Sequence, residues 1–227
     1  MNKMKKIILS GLALILGCTT IASTPFVFAQ PKVVKAADVK FSDLSPADSG
    51  YNQVQSLVKQ GAIKGFPGGK FKPHQNISRE HVAVILANAL KLPVPKNVSK
   101  TLSVYDDVKS THPYSKQIAA VTAADIFKGN NKKFRPSQTI NREQMATVIV
   151  KAFNLTGNSS SIDLIDFAKL DASHRDNVKI LAQNNITIGK INQKGQRYYD
   201  GTRSLTRVQF SIFLDKALNS FEVVDIS

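Results

Sequence analysis

The sequence predicts a mainly α-helical protein made of three copies of one helix–loop–helix unit that pack together. Three observations support this prediction. A tripeptide ending in arginine recurs at spacings of 63 and 65 residues: Ile77-Ser78-Arg79, Ile140-Asn141-Arg142 and Leu205-Thr206-Arg207. Apolar residues spaced by three and four follow each arginine, and a shorter helical pattern precedes it. One helix pair cannot bury both its faces alone, so the three copies are expected to share a core.

The second helix of each copy has a recognisable start. Ser78, Asn141 and Thr206 are favourable N-cap residues, because a short polar side chain can accept a hydrogen bond from a free helix amide. Glutamine stands three residues after the second and third caps, at Gln144 and Gln209. Capping boxes are therefore predicted at these two helix starts.

The first half of each copy opens on an aspartate, at Asp43, Asp107 and Asp166. A short helical pattern follows, and the three halves close on Gly65, Gly129 and Gly189. A glycine at this place suits either a helix C-terminus or a tight turn.

Polar, turn-rich stretches separate the copies. Residues 91–100 contain two prolines, and residues 154–161 are small and polar, so both are predicted to be linkers. The predicted copies therefore span residues 38–92, 102–156 and 162–220, and they are called copy 1, copy 2 and copy 3 below.

Residues 1–29 have the pattern of a secretory signal peptide. A basic start precedes an apolar run at 7–16, and small residues lead up to Ala29. The apolar run is shorter than the roughly 20 residues that a membrane span needs. Cleavage after Ala36 and lipid attachment at Cys18 remain open alternatives, and only lipidation would hold the mature chain on a membrane.

The charge predicts an anionic partner. The chain has 31 Lys and Arg against 16 Asp and Glu, a formal net charge of +15. Export from the cell and the lack of RNP or zinc motifs argue against nucleic acid. The four histidines follow no H-E-x-x-H spacing, and no nucleophile elbow, P-loop or Rossmann fingerprint occurs. We therefore expect no catalytic residue, no metal site and no cofactor.

The repeated motifs resemble the S-layer homology (SLH) family. Its repeat opens with F-x-D-V, carries G-I-I-x-G and F-x-P, and ends with I-T-R-A-E before a helix. The matching segments of copy 1 are Phe41-Ser42-Asp43-Leu44, Gly61-Ala62-Ile63-Lys64-Gly65, Phe71-Lys72-Pro73 and Ile77-Ser78-Arg79-Glu80-His81. Copies 2 and 3 follow the same order, and the resemblance covers residues 38 to 220.

The resemblance implies a fold and a function. Three SLH repeats form one compact, pseudo-three-fold helical unit, expected here to be monomeric. The unit binds secondary cell-wall polysaccharide of Gram-positive bacteria non-covalently, and this polymer commonly ends in a pyruvylated, anionic amino sugar. The chain is thus expected to be secreted and held at the cell wall. A lipid-anchored or wall-associated accessory protein and a wall-lytic enzyme are the alternatives.

The expected ligand-binding residues lie in grooves between copies. They are Arg79, Arg142, Arg207, Asp43, Asp107, Asp166, Lys64, Lys128, Gly65 and Gly129. An arginine is unfavourable in the first turn of a helix, which suggests a role in binding an anion together with the free helix amides. The alternative is a structural pair between each arginine and a neighbouring aspartate. Ile188 replaces the lysine in copy 3, so its groove is expected to be weaker.

One departure from the family concerns aromatic residues. Many SLH repeats carry tryptophan shortly after the opening aspartate, and this sequence has none. Tyr51 and Tyr114 lie near the corresponding places and are candidate substitutes for stacking against a sugar.

Overall fold

The computed structural model describes residues 38–222. The predicted signal peptide and Cys18 lie outside the described residues. The fold is mainly α-helical, as predicted. Its elements are α1 (Tyr51–Lys59), α2 (Arg79–Ala89), α3 (Val98–Leu102), α4 (Ser115–Ala123), α5 (Arg142–Ala152), a 3-10 turn (Phe167–Lys169), α6 (Ala172–Gln183), β1 (Lys190–Ile191), β2 (Arg197–Tyr198) and α7 (Arg207–Glu222).

The main helix pairs join different copies. Helix α2 of copy 1 packs on α4 of copy 2, α5 of copy 2 packs on α6 of copy 3, and α7 of copy 3 packs on α1 of copy 1. The last pair closes the arrangement into a ring with pseudo-three-fold symmetry. Apolar side chains of all three copies form one shared core, so no copy has a core of its own.

Backbone hydrogen bonds at the centre repeat the same ring. The amide of Ile77 donates to the carbonyl of Leu205, that of Leu205 to Ile140, and that of Ile140 to Ile77, at 2.9, 3.0 and 3.2 Å. These three residues are almost fully buried, so their backbone groups must find partners within the protein. All three copies are therefore needed to complete the backbone hydrogen bonds at this centre.

The predicted helix starts are confirmed. Asn141 and Gln144 form the capping box at α5, and Thr206 and Gln209 exchange the same two bonds at α7. At α2, Ser78 accepts from the amide of His81. Each cap satisfies a helix amide that would otherwise lack a partner.

Two local features differ from expectation. The predicted linker 91–100 contains the start of helix α3, because Asn97 caps it by accepting from the Lys100 amide at 2.8 Å. The first helices of the copies do not end at Gly65, Gly129 or Gly189. They end some residues earlier, near left-handed Gly61, Asp125 and Asn185, whose φ angles are 71°, 59° and 58°.

Gly65 and Gly129 instead lie where the loop folds closely on itself. A Cβ atom at Gly65 would stand 2.5 Å from the Phe41 ring and 3.0 Å from the Lys70 carbonyl. At Gly129 it would collide with the backbone of Lys133. Close approach therefore requires glycine at both positions, which agrees with the tight-turn alternative.

Within residues 38–222, no helix combines the length and the apolar character that crossing a membrane requires.

Candidate functional site

Each opening aspartate holds the loop that precedes the second helix of its own copy. Its two carboxylate oxygens accept the amides of two consecutive loop residues, at 2.7–2.9 Å. The pairs are Asp43 with Phe71 and Lys72, Asp107 with Phe134 and Arg135, and Asp166 with Tyr199 and Asp200. The second residue of each pair has a left-handed φ of 56–62°. The carboxylate thus stabilises a loop conformation that side chains rarely adopt.

Each arginine binds the same loop of a neighbouring copy. Its Nε donates to the carbonyl of the buried aromatic residue there: Arg79 to Phe134 (2.7 Å), Arg142 to Tyr199 (2.7 Å) and Arg207 to Phe71 (3.0 Å). Two arginines also donate through Nη2 at 3.1 Å, Arg79 to Lys128 and Arg207 to Lys64. We call the three arginines and the backbone carbonyls of these three aromatic residues the Arg–carbonyl ring.

The Arg–carbonyl ring is buried. The arginines are 4–9% exposed, and each guanidinium carbon lies 4.4–5.3 Å from the centres of two aromatic rings. Burial lowers the pKa of Arg79 and of Arg207 to about 10, and it lowers the pKa of Arg142 in the same direction. The guanidinium groups remain positively charged at neutral pH, so their hydrogen bonds to the backbone carbonyls are charge-assisted.

The expectation of free amides at these helix starts is wrong. In α2, the amides of Arg79 and Glu80 donate to carbonyls of copy 2, both at 2.9 Å. The first two amides of α5 and of α7 likewise donate to the neighbouring copy. The peptides of the next loop occupy the positive end of each helix dipole, so they take the place proposed for an anion.

Aspartate and arginine meet through a peptide group. Asp43 accepts from the amide of Lys72, and Arg207 donates to the carbonyl of Phe71, which belongs to the same peptide group. The two side chains therefore fix one peptide from two sides and from two copies. This geometry gives both residues a structural role, and a role in ligand binding stays a prediction.

Groove 1 is a cavity of about 410 Å³ that residues of all three copies line. Lys64 and Gly65 come from the copy 1 loop, and Arg207 reaches its floor from α7. Its walls include Phe66, His81, Asn88, Tyr114 and Gln117. The structure thus brings together the predicted residues of one site, with Lys64 exposed at the rim and Arg207 buried beneath it.

Groove 2 is the equivalent cavity one copy further on, of about 390 Å³. Lys128 and Gly129 come from the copy 2 loop, and Arg79 lies at the floor. The remaining lining includes Asn130, Arg135, Gln144, Thr147, Lys151 and His174. Lys128 is exposed and forms an ion pair with Asp125. Two of the three predicted sites therefore exist as matching cavities.

Copy 3 differs around the same place. Ile188 stands where copies 1 and 2 have lysine, and it is 55% exposed. The loop continues into the hairpin of β1 and β2, where Lys190 binds Asp200 at 2.7 Å. Gly189 has a φ of 75°, whereas Gly65 and Gly129 have no positive φ. The loop geometry and the charge of a third groove therefore differ from those of grooves 1 and 2.

Sequence reasoning missed the groove walls. The exception is Tyr114, a candidate from the sequence for stacking against a sugar, which does line groove 1. His174 in groove 2 was missed because it belongs to the copy that follows the loop, whose first helix packs on the second helix of the preceding copy. The repeat spacing could have indicated Asn88 and Lys151, which both stand nine residues after the arginine. Among residues 38–222, no group of three or more His, Cys, Asp or Glu side chains is placed to hold a metal ion.

Comparison with known proteins identifies the repeats of copies 1 and 2. The family model of the S-layer homology domain matches residues 40–83 and 104–146. The S-layer protein sap of Bacillus anthracis is 28% identical over 191 residues, which cover 83% of this chain and 22% of that protein. The Surface-layer 125 kDa protein of Lysinibacillus sphaericus is 28% identical over 204 residues, 88% of this chain and 17% of that protein.

A third relative, the S-layer protein EA1 of Bacillus anthracis, is 37% identical over 123 residues, 54% of this chain and 14% of that protein. The chain thus spans about a fifth or less of the length of these relatives. Such similarity to surface-layer proteins of Gram-positive bacteria indicates a secreted protein of the cell surface. Copies 1 and 2 of this chain therefore each contain an S-layer homology domain.

Proposed function

We propose that this chain anchors itself to the cell wall by binding an anionic secondary cell-wall polysaccharide, non-covalently, in grooves 1 and 2. The observation that carries the proposal is the pair of matching cavities, each with an exposed loop lysine above a buried guanidinium. Both loops lie in copies that the SLH family model matches. Cationic, partly enclosed sites concentrate anionic ligands by focusing the electric field.

The ligand group best suited to these grooves is a carboxylate on a sugar, such as a pyruvyl group on an amino sugar. The lysine ammonium stands on a flexible side chain, so it can adjust its position to a bound anion. The buried arginine instead holds the floor of the groove in place. The proposed role is binding rather than catalysis. The chain is proposed to act as a monomer, because α7 packs on α1 and closes the ring.

A wall pull-down tests this function. Purified cell walls should retain the chain after nuclease treatment, and removal of the polysaccharide from the walls should abolish retention. Chemical removal of the pyruvyl groups should weaken the binding if they are the anionic group. Retention by walls that lack the polysaccharide would contradict the proposal, and a lytic band on a peptidoglycan zymogram would instead support an enzyme.

A further inference from the structure

Grooves 1 and 2 have the same frame but different walls. Position by position, groove 1 has Tyr114 where groove 2 has His174, and Asn88 where groove 2 has Lys151. The loop residue after the glycine is Phe66 in groove 1 and Asn130 in groove 2. These exchanges alter the chemistry of the wall while the loop lysine and the buried arginine stay the same.

Groove 1 has an aromatic wall. The Tyr114 ring lies 5.5 Å from the His81 ring, which lies 6.3 Å from the Phe66 ring. Tyr114 is half-buried, so its ring is held in place and one part of it still faces the cavity. A fixed, amphipathic ring of this kind suits the apolar face of a sugar, and its hydroxyl suits the polar edge.

Groove 2 has a polar and cationic wall. Lys128, Arg135 and Lys151 all line it, in addition to buried Arg79. His174 faces Thr147 at 2.8 Å, in place of an aromatic cluster. Groove 1 has Lys64 and Arg207 as its lysine and arginine lining, so groove 2 carries the larger cationic lining. An anionic substituent therefore gains more from groove 2.

We infer that the two grooves, which both accept the anionic sugar of the proposed function, favour different parts of it: groove 1 favours the sugar ring, against Tyr114, and groove 2 favours the anionic substituent, among Lys128, Arg135 and Lys151. This inference rests on the proposed function. Groove 2 binding is then the more salt-sensitive part, because salt screens exposed charges and groove 2 has more of them than groove 1, where Lys64 is the exposed cation.

Nuclear magnetic resonance with two small probes tests the inference on the full chain. The neutral probe is methyl N-acetylglucosaminide, and the anionic probe is pyruvate. The neutral probe should shift the backbone amide signals of Gly65 and Gln117 and leave that of Gly129 in place. Pyruvate should shift the Gly129 amide more than the Gly65 amide, and about 0.5 M NaCl should remove most of this shift.

Swaps between equivalent positions provide matched variants. Lys151→Asn should weaken pyruvate binding at Gly129 about two- to fivefold, the range for one exposed charge. Asn88→Lys should strengthen pyruvate binding at Gly65 by a similar factor. Tyr114→His should weaken the response of Gly65 to the neutral sugar, while His174→Tyr should create one at Gly129.

Equal responses of both grooves to both probes, a reversed preference, or no response to either probe would overturn the inference. The wall pull-down keeps its failure distinct from that of the proposed function. If the chain binds walls but its two grooves respond equally to the probes, only the inference is wrong. If the chain does not bind walls, the proposed function is wrong.

Discussion

Copies 1 and 2 differ from copy 3 at the periphery and agree with it at the centre. All three contribute an arginine to the Arg–carbonyl ring and an aspartate that holds the loop of its own copy. Around this centre, copy 3 replaces the loop lysine with Ile188 and adds a hairpin. The SLH family model matches residues in copies 1 and 2.

The difference teaches that holding the fold and binding a ligand can be assigned to separate residues. The buried arginines and the less buried opening aspartates pair with backbone groups in every copy, so we expect their loss to destabilise the fold wherever it occurs. The exposed lysines are present in two copies, so their loss should affect binding with little effect on stability. Each prediction below tests one side of this separation.

The largest expected effect is the loss of a ring arginine. Arg79→Ala, Arg142→Ala and Arg207→Ala should each lower the free energy of unfolding by about 2–4 kcal/mol, because buried carbonyls lose a charged donor. Urea denaturation measures this change. The control is Arg203→Ala, since Arg203 has a 62% exposed side chain and should cost less than about 0.5 kcal/mol. A loss of stability in only one of the three arginine variants would contradict the claim that the copies share one centre.

Asp43 should have the next largest effect. Burial opposes its ionisation, but hydrogen bonds from the amides of Phe71 and Lys72 outweigh burial and lower its pKa below 3.8. The unfolded chain therefore takes up the proton first as the pH falls. Asp43 should stabilise the fold above pH 3.8 and lose this contribution as the pH drops through its folded pKa.

Asp43→Asn tests that contribution. The variant should be less stable at pH 7 by about 1–2 kcal/mol, because its amide nitrogen cannot accept the second bond. The deficit should shrink at acid pH, where the wild-type carboxylate is itself protonated. Urea midpoints at several pH values measure the trend, and a deficit independent of pH would contradict the assigned role.

Tyr199 distinguishes the centre of copy 3 from the other two, which have phenylalanine at this place. Its buried hydroxyl donates to the carbonyl of Arg142 at 2.8 Å. Tyr199→Phe should lower the free energy of unfolding by about 1 kcal/mol, since one buried acceptor loses its donor. Tyr198→Phe, at a half-buried neighbouring position, is the control. Equal effects of the two variants would argue against a special role for this bond.

The smallest effect is expected at Ile188. Ile188→Lys restores the residue type of copies 1 and 2 at an exposed position, so stability should change by less than about 0.5 kcal/mol. Wall binding should change less than twofold, because the surrounding loop differs in shape. A large gain in binding, measured by titration with purified walls, would mean that charge alone separates copy 3 from the others.

Much of the fold was predictable from the sequence. The arginine-ended tripeptides, their caps and the apolar spacing predict three equivalent helix starts, because capping and burial act locally on residues close in the chain. Helix α3 was missed, since a five-residue helix between prolines and polar residues gives too short a pattern.

The site was only half predictable. Lys64 with Arg207 and Lys128 with Arg79 do share cavities, but the pairing crosses copies, and repeat spacing does not reveal which copy follows which in space. The first-turn arginines suggested an anion, whereas the structure provides backbone carbonyls as their partners. Local helix electrostatics indicated that a negative partner was needed and could not identify it.

The central claim is that exposed groove lysines bind the wall and that the ring arginines hold the fold. The most direct test compares Lys64→Ala/Lys128→Ala with Lys96→Ala/Lys179→Ala, a double variant with the same charge change at exposed positions outside both grooves. In wall-binding titrations, the groove variant should lose about fivefold or more in affinity with an unchanged urea midpoint, while the control stays within about twofold. Equal losses in the two variants would contradict the claim.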